Sequence, residues 1–163
     1  MKRSALIAAL IYLSLPAHAS KAHVHGEGKL DAAIEKDTIT LNLELPLDVA
    51  VGFERAPKND KEKATLADAE KIMKDAAALW QPTAAAACAV QSVEVSMPKF
   101  DGDGHADMDA RYVFRCSMPA ALKGVETTLF KQFKRLYRLE AQRVGPSGQS
   151  KLRLTPKTPV LSW

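Results

Sequence analysis

The chain has 163 residues, with 23 Lys and Arg against 19 Asp and Glu, and only two cysteines. The charge is near balance, and its basic residues are not interleaved with aromatics as in single-strand nucleic-acid binders, so nucleic acid is not an expected partner. The length is that of one domain, the apolar run over residues 5–15 is too short to cross a bilayer comfortably, and no second long apolar run follows.

The N-terminus reads as a cleavable leader. Met1-Lys2-Arg3 is basic, residues 5–15 (ALIAALIYLSL) are apolar, Pro16 interrupts them, and Ala17-His18-Ala19 is a small-x-small cleavage frame. The expectation is a signal peptide over residues 1–19, with an uncleaved N-terminal anchor as the alternative, and a single mature domain over 20–163, located in the periplasm and not inserted in the membrane once cleaved. Without Lys2 and Arg3 the mature chain keeps 21 basic and 19 acidic residues, a net charge of +2. An exported protein meets an oxidising compartment, so the even pair Cys88 and Cys116 predicts one disulfide, with two free thiols as the alternative.

Residues 27–35 and 38–45 each alternate apolar and polar, with Leu30, Ala32 and Ile34 on the first run and Ile39, Leu41, Leu43 and Leu45 on the second. The polar turn Lys36-Asp37 between them predicts a β-hairpin with one buried face. Residues 46–57 read as a loop anchored by Leu47, Val49, Val51 and Phe53. Asn59 with Glu62 has capping-box spacing, and Leu66, Ala69, Ile72, Met73, Ala76, Leu79 and Trp80 recur at helical spacing, which predicts one helix over Asp60–Trp80. Residues 83–88 are ambiguous between helix end and strand entry. Residues 90–97 and 108–117 predict strands on either side of an acidic Gly- and Asp-rich turn. As a hairpin they bring Cys88 to Cys116. Residues 119–124 are a connection or a single helical turn, and 125–133 a strand followed by a helical turn. Residues 136–144 and 149–154 form a second hairpin around Gly145-Pro146-Ser147-Gly148. The sum is an α+β fold, with antiparallel β-hairpins forming a sheet packed on one main α-helix.

The strongest chemical signal is His23-Val24-His25-Gly26-Glu27. In an extended strand His23, His25 and Glu27 face the same way, opposite the apolar residues of the hairpin, and two imidazoles with a carboxylate suit Zn(II), and also Cu(II) or Ni(II). The other histidine of the mature chain is His105, in Asp101-Gly102-Asp103-Gly104-His105-Ala106-Asp107. The sharp hypothesis is a metal site shared by His23, His25 and His105, completed by Glu27 or Asp107. The bland reading is three solvated histidines. The acidic turn fails the EF-hand pattern, because Gly104 comes one place early and Tyr112 stands where a bidentate Glu belongs. Cleavage one residue later, after Ser20, would place His23 third and create a terminal copper or nickel chelate. There is no GxSxG elbow, HExxH, P-loop or dinucleotide fingerprint, and no CxxC, so catalysis is not expected.

Taken together, His23-Val24-His25-Gly26, Leu43-Glu44-Leu45-Pro46, Gly52-Phe53-Glu54-Arg55-Ala56-Pro57, the paired cysteines and Leu154-Thr155-Pro156 resemble the DUF2796 family of proteobacterial exported proteins, which includes a periplasmic zinc-uptake protein. The resemblance implies a non-catalytic, metal-binding periplasmic protein that aids zinc acquisition, with the zinc ion and a zinc-transporter component as partners. Two departures lower its ligand count. The family's long His- and Asp-rich insert is reduced here to residues 101–105, and Arg55 stands where the family commonly has His. The alternative is a metal-independent periplasmic interaction domain.

Overall fold

The computed structural model describes residues 25–100 and 106–163. The leader, His23 and His105 lie outside the described residues.

The alternating runs form the strands they predict. β1 (Glu27–Glu35) and β2 (Thr38–Pro46) make the first hairpin, with Glu35 opposite Thr38 and Lys36 at φ +52° in the turn. β4 (Cys88–Ser96) and β5 (Asp107–Cys116) pair antiparallel, with Cys88 opposite Cys116. β7 (Arg138–Gly145) and β8 (Gly148–Leu154) form the second tight hairpin. These six strands make one sheet in the order β4-β5-β2-β1-β7-β8.

The expectation of a purely antiparallel sheet is corrected at its centre, where β1 and β7 run parallel, from Glu27 opposite Arg138 to Ala33 opposite Val144. A parallel pair needs a long crossover, and here the chain between β1 and β7 supplies it by passing through the rest of the domain. Two strands of that crossover join a C-terminal strand in a second sheet. Its strands β3 (Trp80–Pro82), β6 (Gly124–Thr127) and β9 (Val160–Ser162) lie in the order β3-β6-β9. The strand and helical turn expected over residues 125–133 are present as β6 and the helix that follows it, whereas the three-residue β3 carries too little alternation to be read from sequence.

The single helix expected over Asp60–Trp80 is also corrected. α2 (Asp60–Lys74) stops at Asp75, whose φ −88° and ψ 73° leave the helical region, and α3 (Ala76–Leu79) begins there. The Asp75 carboxylate accepts from Ala78 N at 3.1 Å, so this side chain ends one helix and caps the next. Asn59 caps α2 as its spacing predicts, accepting from Glu62 N at 2.9 Å. The segment expected as a loop after β2 contains α1 (Leu47–Val51), and α4 (Leu129–Gln132) follows β6. The helical part of the fold is therefore one longer helix, α2, accompanied by the short helices α1, α3 and α4 and by the small sheet. Among the described residues no helix is long and apolar enough to cross a membrane.

The core lies between these layers. Leu30, Ile39, Leu41, Leu45, Met108 and Leu139 are buried, as the period-2 pattern of their strands requires, and Leu47, Met73, Leu79 and Leu129 are buried on the helices. Trp80 and Tyr112 meet edge-to-face with ring centroids 5.6 Å apart. The buried Tyr112 hydroxyl donates to the Met73 carbonyl at 2.9 Å, satisfying an acceptor that the end of α2 would otherwise leave open. Tyr112→Phe is expected to destabilise the protein by about 1–3 kcal/mol, because it strands a buried carbonyl. Urea unfolding of the variant against the wild type checks this, and a change below about 0.5 kcal/mol would refute it. At the far end of the sheet the buried Arg143 donates to Ser147 and Ser150 at 2.9 and 3.2 Å, and its guanidinium lies over the Trp163 ring at 5.8 Å. That contact ties the second hairpin to the C-terminal strand.

Candidate metal centre

The site begins where the chain enters β1. Gly26 has φ +79°, a conformation that strains an L side chain, and a Cβ added there would fall inside the Tyr137 ring. The glycine between His25 and Glu27 is thus required twice over, by backbone conformation and by the aromatic ring packed against it. The turn puts His25 ahead of the strand and Glu27 in it. Their side chains then meet different partners, although both lie away from the core as the parity count predicts.

His25 turns toward α1. The sequence from Leu47 to Val51 buries Leu47, Val49 and Val51 and leaves Asp48 partly exposed. The helix ends after one turn at Gly52, whose φ of +89° closes it with Gly52 N donating to the Asp48 carbonyl at 2.8 Å. The chain then runs directly into Phe53 and Glu54. As a result His25, Asp48 and Glu54 converge, with one ligand atom of each lying within 4.8 Å of the others. His25 Nδ1 and Asp48 Oδ2 are 2.7 Å apart. The hydrogen bond to Asp48 raises the His25 pKa above its ordinary 6.5, and the charges of Asp48 and Glu54 raise it further.

A metal fit can be judged from the donors. Zn(II) bonds of about 2.0–2.2 Å in a tetrahedron put neighbouring ligand atoms roughly 3.3 Å apart. The His25–Asp48 spacing is that of a hydrogen bond, so exchanging the shared proton for the ion needs the pair to open by roughly half an ångström. The second Asp48 oxygen, Oδ1, is buried and has no hydrogen-bond partner among the described residues. An unmatched carboxylate oxygen beside an imidazole and a second carboxylate is what a divalent cation would satisfy. The donor set of one nitrogen and two oxygens leaves room for a further ligand.

The other residues named from sequence lie elsewhere. The Glu27 carboxylate is paired with the Arg138 guanidinium, and Arg138 also reaches Glu140 at 3.2 Å. Asp107 is the first residue of β5, opposite Pro46 of β2. It stands near Asp109, whose pKa is raised by burial and then by the charges of Asp107 and Glu44. Neither Glu27 nor Asp107 belongs to the His25 group. Arg55, at the position where a histidine was expected from the resemblance, turns away. Its guanidinium grips Glu62 through two hydrogen bonds of 2.6 and 2.9 Å and sits 5.2 Å from the centre of the Phe53 ring. Those bonds, with one from Lys58 N, hold the Glu62 carboxyl down to about 2. Asp48 and Glu54 were missed by sequence reasoning. Glu54 was in view within Gly52-Phe53-Glu54-Arg55-Ala56-Pro57, but nothing local marks it as facing a histidine nearly thirty residues away.

The arrangement defines a disulfide-bonded α+β domain with a histidine–carboxylate cluster beyond the ends of the central strands β1 and β2 of its principal sheet. The chain belongs to the ZrgA family of zinc uptake proteins, whose pattern it matches over residues 22–163. No curated protein matches it.

Proposed function

We propose that this is a non-catalytic accessory protein of zinc acquisition, exported to the periplasm by the leader over residues 1–19, that holds Zn(II) at His25, Asp48 and Glu54. The observation that carries the reading is the convergence of these three side chains around a buried, unmatched Asp48 oxygen. Membership of a zinc uptake family supports the choice of metal, and nothing in the fold favours Cu(II) or Ni(II). His23, two residues before His25 in sequence, is the natural further ligand, and a zinc-transporter component is the natural recipient of the ion. Calorimetric titration of chelator-treated protein with Zn(II) tests the site. Asp48→Asn and Glu54→Gln together are expected to weaken binding by at least tenfold, in line with the 10–100-fold cost of disturbing ligands and their supports. Wild-type heats from the double variant would sink the assignment.

The electrostatics set the pH dependence. The ion must displace a proton from His25, and its carboxylate neighbours raise the pKa of that proton. Affinity is therefore expected to fall about tenfold for each pH unit below the His25 pKa, and to level off above it. Titrations across pH 5.5–8 check this, and a flat profile in the acidic half would contradict it.

A further inference from the structure

The geometry points to Tyr137 as the positioning residue of the metal site, an inference that rests on the assignment of His25 as a ligand. Three contacts tie the backbone around His25 to the start of β7. The Tyr137 hydroxyl donates to the His25 carbonyl, Tyr137 N donates to the Gly26 carbonyl at 3.0 Å, and the Tyr137 ring occupies the space beside Gly26. Arg138, the next residue, holds Glu27. The carboxylates of the site come from elsewhere, from α1 and the turn after it. The imidazole therefore reaches Asp48 and Glu54 only while its own backbone is pinned from the β7 side. Tyr137 is itself half exposed, at 55 %. A large aromatic residue left this open contributes little to the core, so its place is better explained by what it holds. The same stretch presents Arg135 to the other half of the site, because its guanidinium packs on Gly52, where α1 ends. One short segment thus braces both halves, with Tyr137 on the histidine side and Arg135 on the carboxylate side.

Tyr137→Phe removes the hydroxyl donor and keeps the ring. Loss of one hydrogen bond is expected to weaken Zn(II) binding about three- to tenfold while the melting temperature of the metal-free protein stays within about 2 °C. Co(II) supplies the second readout. At saturation the variant should give the wild-type visible spectrum, since the ligands are unchanged, but should need proportionately more metal to reach it. His25→Ala, run alongside, separates the two ideas. If His25→Ala binds as the wild type does, the site itself is wrong. If His25→Ala loses binding and Tyr137→Phe keeps full affinity, only the positioning role is overturned. A melting temperature that falls in Tyr137→Phe with affinity unchanged would show a purely structural tyrosine and overturn it as well.

Discussion

Replacing His25 with alanine is expected to lower the affinity for Zn(II) by roughly a hundredfold, more than any other single change at the proposed site. Supporting residues around a metal typically contribute 10–100-fold, and His25 is the one nitrogen donor of the described cluster, so its loss falls at or beyond the upper end. The two carboxylates left behind are hard oxygen donors that any divalent cation can satisfy, which removes selectivity along with affinity. Glu27→Gln is the matched control. Its carboxylate lies one turn of chain from His25 but is paired with Arg138, so affinity should stay within about twofold of the wild type. Competition against a chelating dye measures both. Equal affinities for His25→Ala and the wild type would remove the site, and a large loss for Glu27→Gln would return Glu27 to the ligand set.

The second large effect concerns the fold. Cys88→Ala with Cys116→Ala is expected to reduce stability by about 3 kcal/mol, from the entropy of a chain no longer closed across a separation of 28 residues. The melting temperature should fall by roughly 6–12 °C. The position of the bridge makes the effect matter. Among the described residues β4 is an edge strand of the sheet and pairs only with β5, and its register shifts between Val90 and Ser92. The disulfide holds the one end of that ladder where the irregularity would otherwise allow fraying. Cys116 is also buried, so a lone Cys116→Ser should be worse than alanine, because it leaves a hydroxyl in an apolar setting. Thermal unfolding with and without reductant reads the effect, and a double variant melting within 2 °C of the oxidised wild type would refute it.

Legibility from sequence followed the range of each signal. The two tight hairpins were readable because a strand alternates every two residues and a turn is local, and the first kept the buried face that its parity assigned. The disulfide was readable because two strand ends in one hairpin have a single way to meet. The helix over Asp60–Trp80 was half readable. Its apolar stripe continues past the break because Ala76 and Leu79 are buried on the same side. What ends α2 is the backbone of Asp75, whose role as a cap is visible only once Ala78 N is seen to donate to it.

His25 was singled out from sequence alone, and the sequence by itself determined that it would stand off the core, because the apolar set of β1 falls on the other parity. It also determined that a glycine would follow. Which groups meet His25 was decided only by tertiary structure. The strand-face argument offered Glu27, two residues on. The positive φ of Gly26 and the pull of Arg138 separate that pair, and a one-turn helix closed at Gly52 delivers Asp48 and Glu54 in its place. A periodicity reports which way a side chain points from its own backbone. Which distant segment arrives to meet it depends on how the core packs.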